Sequence, residues 1–431
     1  MNDISNLRSL LAELDDMLVN CMRCGMCQSV CPVFQDSMME GDVARGKLAL
    51  IDSLAKRMID NPGEVKERLE KCLLCGSCEA GCPSGVKVTD IFIKARAVLT
   101  GYMGLAPMKK AIFRKGLANP RLFGAMLSVG ARFQGMVTRE ASPFFGTSCS
   151  KIMSPFIGDR HFFPLAKKSF MGEVGGVDTG KGSSGIRVAF YPGCVADKML
   201  PRLGRATLKA LEHHGCGIYL PKNQACCGIP ALASGDEQTM LKLLKHNIKK
   251  FSQGNYDVLV TPCATCTSTI KKLWPKMAGK ISERDEKKAG RIADRTMDIS
   301  AFLSSRFDVN LSSSAVVGER KRVTWHDPCH LKKSLGVASE PREILKGLAG
   351  HEFVEMKEAD YCCGNGGSFN LIHYDTSCRI GERKRGNILA TGADVVATGC
   401  PACMMQMTDL LSRGGDSVAV KHVIELYADS L

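Results

Sequence analysis

Cys21-Met22-Arg23-Cys24-Gly25-Met26-Cys27-Gln28-Ser29-Val30-Cys31-Pro32 and Cys72-Leu73-Leu74-Cys75-Gly76-Ser77-Cys78-Glu79-Ala80-Gly81-Cys82-Pro83 are two copies of one pattern, Cys-x2-Cys-x2-Cys-x3-Cys-Pro. Three closely spaced thiolates hold three irons of one cubane, and the fourth, before proline, crosses to the other. The pattern therefore assigns Cys21, Cys24, Cys27 and Cys82 to one [4Fe–4S] cluster, and Cys72, Cys75, Cys78 and Cys31 to a second. Zinc sites use paired cysteine doublets, not a triplet plus one. Gly25 and Gly76 relieve crowding and free amides for the sulfides, and Pro32 and Pro83 turn the chain after the crossing ligand.

The surrounding residues are helical in pattern. Residues 1–20 read as one amphipathic helix. Residues 43–59, VARGKLALIDSLAKRMI, have apolar positions at helical spacing, followed by a break at Asn61-Pro62-Gly63 and a short helix over EVKERLEKC. This predicts an α-helical two-cluster ferredoxin domain over 1–102, in place of the hairpins of small bacterial ferredoxins.

Ten more of the 21 cysteines form a second pattern, also used twice: Cys194, Cys226, Cys227, Cys263 and Cys266, then Cys329, Cys362, Cys363, Cys400 and Cys403. The copies lie 135–137 residues apart. Each opens with a strand leading to a cysteine (IRVAFYPGC; KRVTWHDPC). A helix, a short strand (GIYLP; HEFVEM), the Cys-Cys-Gly loop, a second helix and a buried strand (YDVLVTPC; ADVVATGC) follow. Alternating strands and helices predict two α/β domains, over 186–310 and 318–431, with cysteines at strand C-termini where such folds place sites. They are expected to pair about a pseudo-two-fold axis with their cysteine sets facing one region. Five thiols per copy exceed the need of a cubane, and adjacent cysteines suit two irons of an opened cluster. The glycines after them offer amides to an anion, or simply make a tight turn.

The repeated Cys-Cys-Gly motif resembles the cysteine-rich CCG family. The full order resembles the iron–sulfur subunit of glycolate oxidase and D-lactate dehydrogenase, with relatives in heterodisulfide reductase and anaerobic glycerol-3-phosphate dehydrogenase. Local details agree: Cys24-Gly25-x-Cys27-x3-Cys31-Pro32, Arg45-Gly46, Cys82-Pro83-Ser84-Gly85-Val86 and Cys362-Cys363-Gly364. The resemblance implies an oxidoreductase subunit that carries electrons. A separate FAD-containing dehydrogenase subunit would oxidise glycolate or D-lactate, and a quinone or other membrane acceptor would receive the electrons. No catalytic residue is expected on this chain. The heterodisulfide reductase side of the resemblance implies the alternative, thiol or disulfide reduction at non-cubane clusters in the CCG domains. Zinc in one or both repeats, as a structural scaffold, is the third reading.

Composition fits an ordinary globular chain: 431 residues, 45% hydrophobic and 24% charged. With 6% aromatics, base stacking on nucleic acid is not expected. The first 20 residues lack a basic stretch before an apolar core, and the longest apolar run, Leu122 to Ala131, is half a membrane span. A cytoplasmic location with thiols on metal is the expectation. The net charge of +14 is concentrated: residues 101–190 hold 13 Lys/Arg against 4 Asp/Glu. Residues 103–185 therefore read as a basic linker of short helices punctuated by Pro107, Pro120, Pro143, Pro155 and Pro164. That surface is either solvated or a docking face for an acidic partner or the inner membrane. Lys109, Lys110, Arg114 and Lys115 are its first candidates. GGVDTGKGSSG reads as a flexible end to the linker; Gly182 after Lys181 excludes a phosphate loop.

His326 and His330 flank Cys329 as candidate proton carriers, metal ligands or simple hydrogen-bonded neighbours. His213-His214 reads as a helix end. Cys149, Cys216 and Cys378 read as small buried hydrophobes. Met103, Met108, Met126, Met136, Met404, Met405 and Met407 read as core or partner contacts. No dinucleotide fingerprint follows a strand.

Overall fold

The computed structural model describes residues 4–151, 158–311 and 319–431. Two compact units interleave along the sequence. The first comprises residues 1–115, 228–240 and 362–381; the second comprises 116–227, 241–361 and 382–431.

The N-terminal part of the first unit is all helix. Ile4–Ala12, Ala44–Ala55, Pro62–Glu70 and Val88–Met103 pack their apolar faces together. Leu7, Leu11, Leu14 and Leu18 enter that core, as the spacing predicts. The helix expected over 1–20 is broken, however, with Asp15–Leu18 separate from Ile4–Ala12. The chain turns at Glu13 and Leu14, and the apolar stripe survives the break in hydrogen bonding. Asn61-Pro62-Gly63 starts a helix in place of a gap: Asn61 Oδ1 accepts from Gly63 N and Glu64 N, and Pro62 occupies the first turn.

In the second unit each repeat builds a parallel sheet with one strand order. The first runs Gly217–Leu220, Arg187–Phe190, Val258–Thr261, Thr296–Asp298; the second runs His351–Phe353, Lys321–His326, Val395–Thr398, Ala419–His422. The last strand of each was not legible as a strand in the sequence. Both are three or four residues long and merge into a helix capped by the strand's final side chain, Asp298 or His422.

The expected linker is structured. Pro107 and Pro120 open helices, Pro143 lies in a turn between Thr138–Ser142 and Thr147–Ser150, and Pro155 lies outside the described residues. GGVDTGKGSSG is not a flexible tether. Val177–Asp178 pairs antiparallel with Gly217–Leu220, Thr179 N donates to Ile218 O, and Ser184 N donates to Gly215 O. Gly182 lets the backbones meet, since a Cβ there would fall 2.0 Å from Gly215 O. Among the described residues no helix is long and apolar enough to cross a membrane.

Candidate metal centres

The two N-terminal cysteine runs form twin loops. After the first cysteine of each, Arg23 (φ 57°) and Leu74 (φ 53°) adopt left-handed backbone, and Gly25 and Gly76 repeat it two residues later. Non-glycine residues in that region carry strain, which persists where surrounding structure fixes it. The alternation curls each loop around its thiols. One pocket is lined by Cys21, Cys24, Cys27 and Cys82, with Arg45 and Cys78 at its wall. Another is lined by Cys31, Cys72, Cys75 and Cys78, with Lys47 and Asp42. Cys82 thus lies beside the first cysteine run and Cys31 beside the second.

These thiols are poised for metal and ill placed without charge compensation. Burial pushes Cys27 and Cys78 upward and Cys31 up to about 12. Thiolate ligation must release those protons, and a metal cation supplies the compensating charge. Amides are already aimed at sulfur: Leu74 N donates to Cys72 Sγ at 3.4 Å, and the Arg45 amide lowers Cys27 against the burial. Lys47, 1% exposed, lines the second cavity and donates to Asp42 O. The sequence pattern passed over it. Its signal is a cation three residues after Ala44 and four before Ile51, on the stripe that the helix buries.

Arg96, also unremarked in the sequence, is 5% exposed on the helix Val88–Met103. Its guanidinium donates to Leu69 O, to Cys72 O at 2.8 Å and to Ala233 O at 2.7 Å. It thus ties the second cysteine run to the segment after Cys226-Cys227. The segment after Cys362-Cys363 meets the same run. Gly366 packs so closely on Leu73 that a Cβ would lie 2.5 Å from its Cδ2, and Arg379 pairs with Asp36 at 2.7 Å.

In the second unit the first repeat gathers its five cysteines. Cys194 Sγ lies 4.0 Å from Cys226 Sγ, and Cys226, Cys227, Cys263 and Cys266 are buried. Neighbouring thiols and burial push Cys226 and Cys266 well above the ordinary range. Gly193, at φ 78°, leaves room for the set: a Cβ there would sit 3.2 Å from Cys266 Sγ. The adjacent cysteines are clamped through their carbonyls, Cys226 O by Asn247 Nδ2 at 3.0 Å and Cys227 O by Trp274 Nε1 at 2.9 Å.

The two repeats meet at strand C-termini, in line with the shared region expected from sequence. Cys263 and Cys400 are hydrogen-bonding neighbours, and Thr265 Oγ1 lies 3.4 Å from Cys400 Sγ and 3.3 Å from His330 Nδ1. Donors from Cys263, Cys403 and Thr265 pull Cys400 below the usual thiol range. Two side chains missed in the sequence face it. Asp298 is pushed up to about 6 by burial, and burial holds His422 down at about 4. Of the second repeat's cysteines, Cys329, Cys400 and Cys403 belong to this unit, whereas Cys362 and Cys363 belong to the other.

The remaining candidates resolve individually. His213 and His214 end the helix Pro201–His213 as expected, with His214 hydrogen-bonded to Tyr427 Oη at 2.7 Å and stacked on Phe307. Cys216 is buried as read, whereas Cys149 and Cys378 are only partly buried. Met404 and Met407 are core residues, whereas Met103, Met108, Met126 and Met136 are exposed.

Comparisons with known proteins agree with this arrangement. Residues 17–86 match the 4Fe-4S dicluster domain, and residues 188–271 and 323–408 match the cysteine-rich CCG domain. The probable glycolate oxidase iron–sulfur subunit of Bacillus subtilis is 30% identical over 425 residues, covering 94% of this chain and 92% of that protein. A fumarate reductase (CoM/CoB) subunit of Methanothermobacter marburgensis is 29% identical over 415 residues, covering 95% and 71%. Lactate utilization protein A of Shouchella clausii is 32% identical over 241 residues, covering 56% and 98%. Similarity that runs nearly end to end, across the helical cysteine runs and both repeats, makes this chain a member of the glycolate oxidase iron–sulfur subunit family.

Proposed function

We propose that the chain is the electron-carrying subunit of a flavin-dependent 2-hydroxyacid dehydrogenase, working between a separate FAD subunit that oxidises glycolate or D-lactate and a quinone or other membrane acceptor. Iron–sulfur centres supply one-electron steps, and a flavin splits the electron pair of the hydroxyacid. Cys21, Cys24, Cys27 and Cys82 hold one cubane, and Cys31, Cys72, Cys75 and Cys78 hold the other. The two CCG cysteine sets hold further metal. The observation that carries the reading lies in the first unit, where the segments after both Cys-Cys pairs pack on the Cys72 run through Arg96–Ala233 and Leu73–Gly366. Both of those segments, residues 228–240 and 362–381, belong to the first unit, so its second cysteine run is built together with stretches from both repeats' sequences. Lys47 offsets the anionic charge of the thiolates, and the buried amides and carbonyl clamps hold the loops in place.

The docking face is the helix Pro120–Val137. Leu122, Met126, Val129, Phe133 and Met136 form one stripe, each 49–74% exposed. Its opposite face packs, with Ala131 buried and Gln134 bonded to Leu165. No Asp or Glu occurs between Asp90 and Glu140, where nine Lys/Arg stand. An apolar stripe edged by arginine suits an anionic bilayer surface. Lys109 and Arg114 are less suited than the sequence reading has it, because they pair with Glu70 and Asp236.

Anaerobic purification tests the function. About eight irons per chain would mean cubanes only and more would mean occupied repeats, with a paramagnetic signal after dithionite in either case. Co-purification with an FAD protein that reduces dye with glycolate or D-lactate is the expected result; colourless protein would remove the proposal. The complete cysteine sets keep disulfide reduction as the second reading, and turnover of a heterodisulfide with reduced viologen would favour it.

A further inference from the structure

The two CCG repeats differ at one buried position, three residues before the first cysteine of each motif. In the first repeat it is Tyr191, whose hydroxyl donates to Ala225 O at 2.6 Å. In the second it is His326, the last residue of the strand Lys321–His326. His326 is 1% exposed, and neither Nδ1 nor Nε2 has a hydrogen-bond partner among the described residues. Buried imidazoles are seldom left without partners, since each orphaned polar atom carries an uncompensated desolvation cost. A His326 ring nitrogen and Cys403 Sγ lie within 4.8 Å of one another, a separation at which both can bind one ion. Thr398, the register partner of His326 on the adjacent strand, also carries a buried hydroxyl without a partner. Such a group is suited to orient a ligating imidazole.

We infer that His326 is a metal ligand of the second repeat, so that the two CCG repeats hold chemically different centres: all-thiolate in the first, mixed thiolate and imidazole in the second. Ligation occupies one of the two orphaned nitrogens. Replacing a thiolate with a neutral imidazole lowers the anionic charge of the centre. For an iron–sulfur centre this raises the reduction potential, as at Rieske sites, and for zinc it gives a sulfur–nitrogen tetrahedron. With iron–sulfur centres in both repeats, the second is the more oxidising of the two. The inference rests on the proposed metal occupancy of the repeats.

The test uses full-length protein grown with 15N-histidine and purified anaerobically, as wild type and as His326→Gln, His326→Tyr and His330→Gln. Iron and zinc are counted first. Iron is then probed by pulsed electron paramagnetic resonance, because one nitrogen would be lost among the cubane sulfurs in iron-edge absorption. Zinc is probed by zinc-edge absorption. The expected result is one strongly coupled histidine nitrogen, or one imidazole scattering pattern, that disappears in both His326 variants and persists in His330→Gln. His326→Tyr installs the residue that the first repeat tolerates, so a folding failure of His326→Gln leaves the test intact. Metal beyond the two cubanes with no histidine nitrogen would overturn the inference and leave the reading of the repeats standing. No metal beyond the cubanes would overturn both.

Discussion

Asp327 shows how a single side chain fixes the second repeat's first cysteine. Burial works to raise its carboxyl, but Arg342 and Trp325 Nε1 outweigh that and hold it below the usual carboxylate range. Asp327 N also donates to Ala359 O, so the loop into Cys329 is held at both ends. The native pKa is depressed, so this contribution to stability is whole above the unfolded value near pH 4 and is lost as acid passes below it. Asp327→Asn is expected to cost about 1–3 kcal/mol near neutral pH, because Arg342 then keeps only Glu355 as a carboxylate partner. In urea titrations its gap to wild type should narrow below about pH 4; a gap independent of pH would refute the assignment. Lys47 acts on potential in place of stability. A buried cation beside Cys31 and Cys72 favours the reduced cluster, and at an effective dielectric near 20 its loss is worth about 1–3 kcal/mol. Lys47→Met should lower the potential of one cubane in a redox titration and leave the other unmoved. The motif thiolates and the glycines between them were readable because their chemistry demands fixed spacing. Lys47, Arg96, Asp298 and His422 were not, because a buried charge or histidine is recognised by what surrounds it in space.

Among the elements, the helix Pro120–Val137 is where surface and function part from propensity. Its packed face is the small-residue side, with Gly124, Gly130 and Ala131, and its large apolar residues stand outside. Period alone places the large residues inward, and the sequence reading gave only short helices between prolines where one 18-residue helix stands. Arg121→Glu with Arg132→Glu is expected to weaken binding to phosphatidylserine vesicles roughly tenfold or more at low salt, since each basic residue at such a surface is worth about 1 kcal/mol. Leu122→Ser with Phe133→Ser should also release the protein. Flotation of either variant at wild-type level would argue for a protein partner on that face. The sheets teach a different lesson. Three strands of each repeat were legible: two carry hydrophobic runs ending at a cysteine, and the short third precedes the Cys-Cys-Gly loop. The fourth, Thr296–Asp298 or Ala419–His422, is too short for a period and is paired through tertiary contact.

Across the whole molecule, the first unit is completed by two segments far away in sequence, residues 228–240 and 362–381. Residues 1–115 alone would expose the faces that Ala233 and Gly366 cover and would leave one of Arg96's carbonyl partners missing. Such a fragment is expected to load the Cys31–Cys72–Cys75–Cys78 set poorly relative to the Cys21 set. The check is iron per chain, about four rather than about eight. Equal loading of both would show that the later segments are dispensable for the second set. Domain order in the sequence was read from motif order, and no local pattern announces that a loop in one repeat serves another part of the chain.

That interleaving also constrains biogenesis. The ribosome releases the early cysteine runs long before residues 362–381 have been synthesised, so the nascent N-terminus waits with an unfinished pocket through most of translation. Delivery of iron and sulfide is therefore most productive after release, and a chain that stalls late in synthesis would present exposed, oxygen-sensitive thiols in place of a finished conductor.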